Sequence, residues 1–300
     1  MAPRRQKVVF ARINRRQPDQ GTLVMRSFRE DMAELAASRQ TRYKEVRRDS
    51  TDRTWIAADM TIQPDGDFMT GTLGYTTREE RRIFEDEQWS WIKATTEERE
   101  GAFPDAVVPF AVDLHEDHRW VAFAPAPRLQ PKQFVNGFWR VLSHAVAEAG
   151  LVPAEWEVDL ISSRDSIDQW LSQHPGVHLL RRTIKFSNPG RDLDDDRREM
   201  RAINARRKTE ELKASSRGVL NIEAEEFRSK LEGTETGDLQ LYLEARGEAA
   251  GTGDAVFRSE DSPDQRAVDT FGRDLQRGIG TVVDALRGYV LEKQPGRALW

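Results

Sequence analysis

The chain has 300 residues, 38% hydrophobic and 32% charged, with a mean hydropathy of -0.70 and a formal net charge of -5. It has no cysteine, which excludes disulfides, thiolate zinc sites, iron–sulfur clusters and cysteine nucleophiles. No apolar run approaches the ~18 residues of a membrane span, and the basic start MAPRRQKVVFARINRR lacks a signal-peptide core, so a cytoplasmic protein is expected.

Val8–Ile13 reads as a first strand and Leu23–Ser38 as a helix with Leu23, Phe28, Met32 and Leu35 along one side. Strands are predicted at Tyr43–Arg47, Thr54–Ile62 and Phe68–Thr76, the last two joined through the turn Pro64-Asp65-Gly66-Asp67. Gln88–Ala94, Asp105–Leu114 and Arg119–Pro125 continue the series, and Gln133–Gly150 is an amphipathic helix. From residue 155 the pattern alternates. Strands at Trp156–Ile161, Val177–Ser187 and Val219–Ile222 are separated by a short helix, Ser166–Ser172, and a long one, Asp194–Ser215, and a second short helix, Ala224–Leu231, follows. A hairpin of Leu239–Ala245 and Ala255–Phe257 and a terminal helix, Asp269–Leu291, complete the reading. The expected fold is α+β: a strand-rich, mostly antiparallel domain over residues 1–130, then an α/β sandwich over 131–300 carrying the long charged helix.

Charge is laid down in blocks. Residues 1–48 carry thirteen basic and five acidic side chains, residues 181–217 twelve and seven, and residues 221–270 five and thirteen. A basic face segregated in an acidic chain is a way to hold a polyanion without indiscriminate adhesion. The expected contacts are Arg181, Arg182 and Lys185 on a strand ended by Asn188-Pro189-Gly190. Arg197, Arg198, Arg201, Arg206, Arg207 and Lys208 follow on the long helix, and Arg4, Arg5, Lys7, Arg12, Arg15 and Arg16 form an N-terminal strip. Such a helix would track phosphates without reading bases, with binding that weakens as salt rises. Against this, Glu199, Glu210 and Glu211 are placed to pair with the same cations.

Other chemistries are less well supplied. His115 and His118 sit on a predicted turn beside Asp113, Glu116 and Asp117; His144 lies on an apolar helix; His174 and His178 flank a Pro-Gly turn; none forms a zinc-helix or hydrolase motif. Asp194, Asp195 and Asp196 suit a helix N-terminus. With Asp192, Glu157 and Asp159 they would be the ligands of a metal-dependent nuclease, the second alternative reading. The glycine-rich pieces around Gly71–Gly74 and Gly247–Gly253 lack the context of a phosphate loop. No catalytic residue, metal site or cofactor is assigned.

The order of FVNGFWRVLSHAVAEAG, WEVDLI, RRTIKFSNPG, the Arg-rich segment and GVLNI resembles that of RexA-type phage-exclusion proteins and related prophage-encoded anti-phage proteins. The resemblance implies a cytoplasmic DNA-binding component, a homodimer, acting with an effector protein partner. The leading expectation is a non-enzymatic, largely sequence-independent double-stranded DNA binder. The first alternative is a protein-interaction subunit of a defence or toxin–antitoxin system, using the acidic surface from Glu223 to Asp269.

Overall fold

The structure is a computed structural model that describes residues 5–16, 27–38, 41–45, 51–85, 90–95, 106–149, 155–185, 194–203, 205, 207–216, 218–247 and 254–294. Its centre is a nine-stranded antiparallel sheet. β1 (Arg5–Arg16) lies between β7 (Trp120–Phe123) on one edge and, end to end on the other, β13 (Gln265–Asp269) and β8 (Glu155–Leu160). Beyond β7 the order continues through β6 (Val107–Asp113), β4 (Phe68–Glu85), β3 (Thr51–Ile62) and β2 (Arg42–Glu45), while β5 (Ser90–Thr95) pairs with the far end of β4. The β3–β4 turn places Gly66 at a φ of 73°, a left-handed conformation that glycine adopts without a Cβ clash.

Alternation along the central strands loads both faces with apolar side chains, so each face needs a cover. Val9, Ala11, Ile13, Val108, Phe110 and Phe123 point into one core, roofed by α1 (Phe28–Ala37) and α2 (Pro131–Glu148). Val8, Phe10, Ala111, Trp120 and Ala122 point into the other, closed by α6 (Leu275–Lys293) through Val282, Val283, Leu286 and Tyr289. The apolar stripe of the terminal helix is therefore spent inside the monomer. A four-stranded sheet, ordered β10 (Arg207–Lys213), β9 (Val177–Lys185), β11 (Leu239–Ala245), β12 (Ala255–Arg258), forms a third core with α3 (Arg164–Gln173), α4 (Asp194–Ala202) and α5 (Glu225–Ser229).

The fold is α+β, and four details of its layout differ from the sequence reading. The sheets cross the boundary placed at residue 130, because β8, β13 and α6 return to the first sheet to satisfy the edge of β1 and its second apolar face. Asp269 belongs to β13, and the terminal helix starts only at Leu275, capped by Asp274 accepting from the Arg277 amide. The strand expected at Val219–Ile222 is a turn-rich connection tied to β9 by the Leu220 amide donating to the Val177 carbonyl at 2.7 Å. The long helix expected over 194–215 ends at Ala202.

That last difference bears on function. Met200 is buried while Ile203 is 70% exposed, an apolar anchor too small for a six-turn helix. The segment RKTEELK instead zips antiparallel onto β9, setting Glu211 opposite Arg181, Glu210 opposite Arg182 and Thr209 opposite Thr183. Opposite charges placed across a ladder stabilise it, and seven backbone pairs outweigh the helix preference of Lys, Glu and Leu.

Candidate nucleic-acid interface

The four-stranded sheet is two-faced. Leu180, Ile184, Leu239, Leu241, Leu243 and Phe257 turn inward to the helices. The opposite phase carries Thr183, Arg181, Thr209, Glu211, Lys213, Gln240, Tyr242, Glu244, Val256 and Arg258, half-buried to exposed. Register lines four of these into one row across the strands: Glu211, Arg181, Tyr242, Arg258. The guanidinium carbons of Arg181 and Arg258 lie 5.5 and 5.7 Å from the Tyr242 ring centroid, within cation–π range. Arg181 also donates through Nε and Nη2 to Glu211 at 2.8 and 2.6 Å, and this carboxylate holds its pKa above the ordinary value. The Tyr242 hydroxyl donates to Glu244, which with burial raises the phenol pKa and keeps it protonated.

The sequence-predicted cations do not form one surface. Arg182 is buried and bridges Glu210 at 2.5 Å and Asp196 at 3.1 Å. Burial raises the pKa of both carboxylates, but Arg182 with Lys230 at Glu210, and with Lys208 at Asp196, more than offsets it and holds them below their ordinary values. Lys185 is buried against Asp159 at 2.5 Å and Glu157 at 2.8 Å, which joins the two sheets. Lys208 closes on Asp196 and Glu199, which raise its pKa. Arg207 is 52% exposed and reaches Glu157 at 2.8 Å.

Arg15 is buried with Asp31 and over the Trp156 ring, and its strand neighbour Arg12 is buried with Asp238. They are core ion pairs, because β1 is covered on both faces. Arg5 is exposed at the start of β1, and Arg198 is exposed on α4. Arg16, Arg197 and Arg201 lie on β1 and α4 with side chains outside the described residues, as do Arg4 and Arg206 entirely. The phosphate-tracking helix is thus replaced by a strand whose inward cations are neutralised. Among the described side chains of the predicted strand-and-helix set, Arg181 and Arg207 face outward on the open sheet, where they join Lys213 and Arg258.

Glu157, Asp159 and Asp196 of the nuclease constellation also resolve into ion pairs, while Asp192 and the side chains of Asp194 and Asp195 lie outside the described residues. Glu157 and Asp159 do share a face of β8, as their spacing implies, and both are occupied by Lys185. Asn14 and Gln240 donate to Asp159 as well, at 2.7 and 3.1 Å. Burial raises the Glu157 pKa, but Lys185 and Arg207 override it and lower it to about 2. Asp196 is committed to Arg182 and Lys208. His115 and His118 stack with ring centroids 4.8 Å apart on the β6–β7 turn, His118 packing in turn on Trp120. Among the described residues, the imidazole and carboxylate atoms that converge in a group of three belong to His178, Glu244 and Asp254.

Sequence reasoning missed Tyr242 and Arg258 as surface groups and Glu244 and Asp254 as partners of His178. The strict alternation of LQLYLEA was the available signal, since it places Gln240, Tyr242 and Glu244 opposite to three leucines. Nothing local tells which strand lies beside it.

The fold and this face define an α+β protein with a sheet surface of mixed charge that no helix covers among the described residues. The chain belongs to the family described as "Domain of unknown function (DUF4747)", whose model matches residues 63–242, from the β3–β4 turn to Tyr242. No curated protein matches the chain.

Proposed function

We propose that this chain is a largely sequence-independent DNA-binding protein that holds single strands across the open face of its four-stranded sheet. The observation that carries the reading is the transverse row Arg181–Tyr242–Arg258, an aromatic ring between two guanidinium groups on a face that no helix covers among the described residues. Arg207 and Lys213 extend the cations along β10. An unpaired base stacks on such a ring while its phosphates meet the flanking cations, which binds strands with little base preference. A flat sheet centred on a ring is poorly matched to an intact duplex, whose bases are already stacked, so the duplex mode expected from a long helix becomes the weaker one. A cytoplasmic, DNA-sensing component of a phage-exclusion system, acting with an effector protein, is the biological form that the RexA-type resemblance lends to this proposal.

The test is fluorescence anisotropy with a labelled oligonucleotide of about 20 nucleotides, single-stranded and duplex, across a salt series. The four outward cations Arg181, Arg207, Lys213 and Arg258 set a salt slope no steeper than about -3 for a single strand. Tyr242→Ala is expected to weaken binding about 5- to 150-fold, the worth of one stacked base. Absence of binding at about 50 mM salt, or full affinity in the Tyr242→Ala chain, refutes the proposal.

A further inference from the structure

We propose that His178, Glu244 and Asp254 form a binding site for a divalent transition-metal ion of the zinc class at one end of the open sheet face. The site is built by an irregularity in the ladder. Glu244 pairs with Leu179 and Ala245 with Val177, so His178 is an extra residue on β9 with no partner in register. A bulge of this kind re-aims a side chain, and here it turns the imidazole toward Glu244 and toward Asp254 at the start of β12.

The distances are those of ligands around an ion. His178 Nε2 lies 3.5 Å from Glu244 Oε2 and 3.8 Å from Asp254 Oδ2, and all three donor atoms fall within 4.8 Å of one another. Hydrogen bonds to nitrogen span ~2.7–3.2 Å, so both separations are too long for one. Donor atoms each held ~2.1 Å from a tetrahedral metal sit ~3.4 Å apart.

The seat of the ring is a second indication. The His178 side chain is only 12% exposed, and its Nδ1 is sealed from solvent with no hydrogen-bond partner among the described residues. Nε2 is the ring nitrogen that faces possible co-ligands, and it meets two carboxylate oxygens at once, at 3.5 and 3.8 Å. The second shell is also in place, since the Tyr242 hydroxyl donates to Glu244 Oε1 and leaves Oε2 for the ion.

Two carboxylates balance a divalent charge, and an imidazole nitrogen selects a borderline ion over Mg²⁺ or Ca²⁺, which prefer oxygen ligands throughout. Asp254 is 53% exposed, so the remaining coordination positions open to solvent on the side of the sheet where Tyr242 lies. Three protein ligands with an open position is the pattern of zinc sites that exchange water or accept an anionic oxygen.

The experiment is competition of the full chain, stripped with chelator and free of nucleic acid, against a chromogenic zinc indicator, with thermal unfolding in parallel. One saturable zinc equivalent and an upward shift in melting temperature are expected. Asp254→Asn, at an exposed position, is expected to lower zinc affinity at least tenfold, as is Glu244→Gln, with the melting of each metal-free chain recorded beside it. Tyr242→Phe, which removes only the second-shell hydroxyl, should cost about 10-fold. It keeps the ring, so single-strand binding should persist, and failure of the metal site leaves the stacking reading standing. No saturable zinc binding, equal zinc affinity in the Asp254→Asn and wild-type chains, or equal competition by Mg²⁺ overturns the proposal.

Discussion

Lys185→Met tests the electrostatic seam between the two sheets and the pKa it produces. Lys185 is buried; it donates to Asp159 at 2.5 Å and forms an ion pair with Glu157 at 2.8 Å. Methionine fills the same volume but strands two acids in a closed site, and breaking a buried pair by removing one partner costs about 3–5 kcal/mol at neutral pH. The pH dependence is the sharper prediction. Glu157 is depressed from 4.5 to about 2, so its contribution is fully present above the unfolded pKa near 4.5 and is lost as pH falls through about 2. Between pH ~4.5 and ~3 the wild-type chain therefore loses about 2 kcal/mol through this group, at ~1.4 kcal/mol per pH unit. Without Lys185 the Glu157 pKa moves back up, although the exposed Arg207 still lowers it, and the variant loses less over that interval. Urea unfolding of both chains at pH 7, 5 and 3 should show a gap that narrows by up to about 2 kcal/mol toward acid. A gap below about 1 kcal/mol at pH 7, or one unchanged down to pH 3, would refute the assignment of Lys185 as the group that sets Glu157.

Glu211→Gln removes the carboxylate that engages Arg181 on the open face. Because the pair is exposed, urea stability should change by less than about 1 kcal/mol, while low-salt affinity for a single strand should rise several-fold; an unchanged affinity would disconnect Arg181 from binding. Gly137 of α2 sits where an added Cβ would lie 2.2 Å from the Trp55 ring. Gly137→Ala should therefore cost about 1–3 kcal/mol despite the better helix propensity of alanine, and a stabilised variant by thermal unfolding would show that helix and sheet can separate there.

The candidate site was only half legible in the residues. Arg181, Arg182 and Lys185 read as one basic strand, yet alternation sends Arg181 outward on the sheet face and Arg182 inward, while β8 covers Lys185. The helix pattern over 194–215 was equally plausible from composition, because Lys, Glu and Leu serve helices and the partner strand that overrules them comes from residues 177–185. Part of the N-terminal strip met the same fate. Arg12 and Arg15 look solvent-bound in sequence, and only the turn at Thr236–Asp238 and the packing of α1 bury them with Asp238 and Asp31.

What the sequence by itself determined is local periodicity: the two-faced central strands, the stripe on α2, the turn at Gly66 and the leucine phase of β11. Each is dictated by neighbours within a few positions, through backbone geometry and the burial of one face. Tertiary structure alone decided which strand meets which, and so which charges are cancelled. Arg181 stands beside Tyr242 from 61 positions along the chain (242 less 181), and His178 meets Asp254 from 76 (254 less 178), through the registers of β9, β11 and β12. Register depends on how whole faces of the sheet find their cover, which no window of sequence contains.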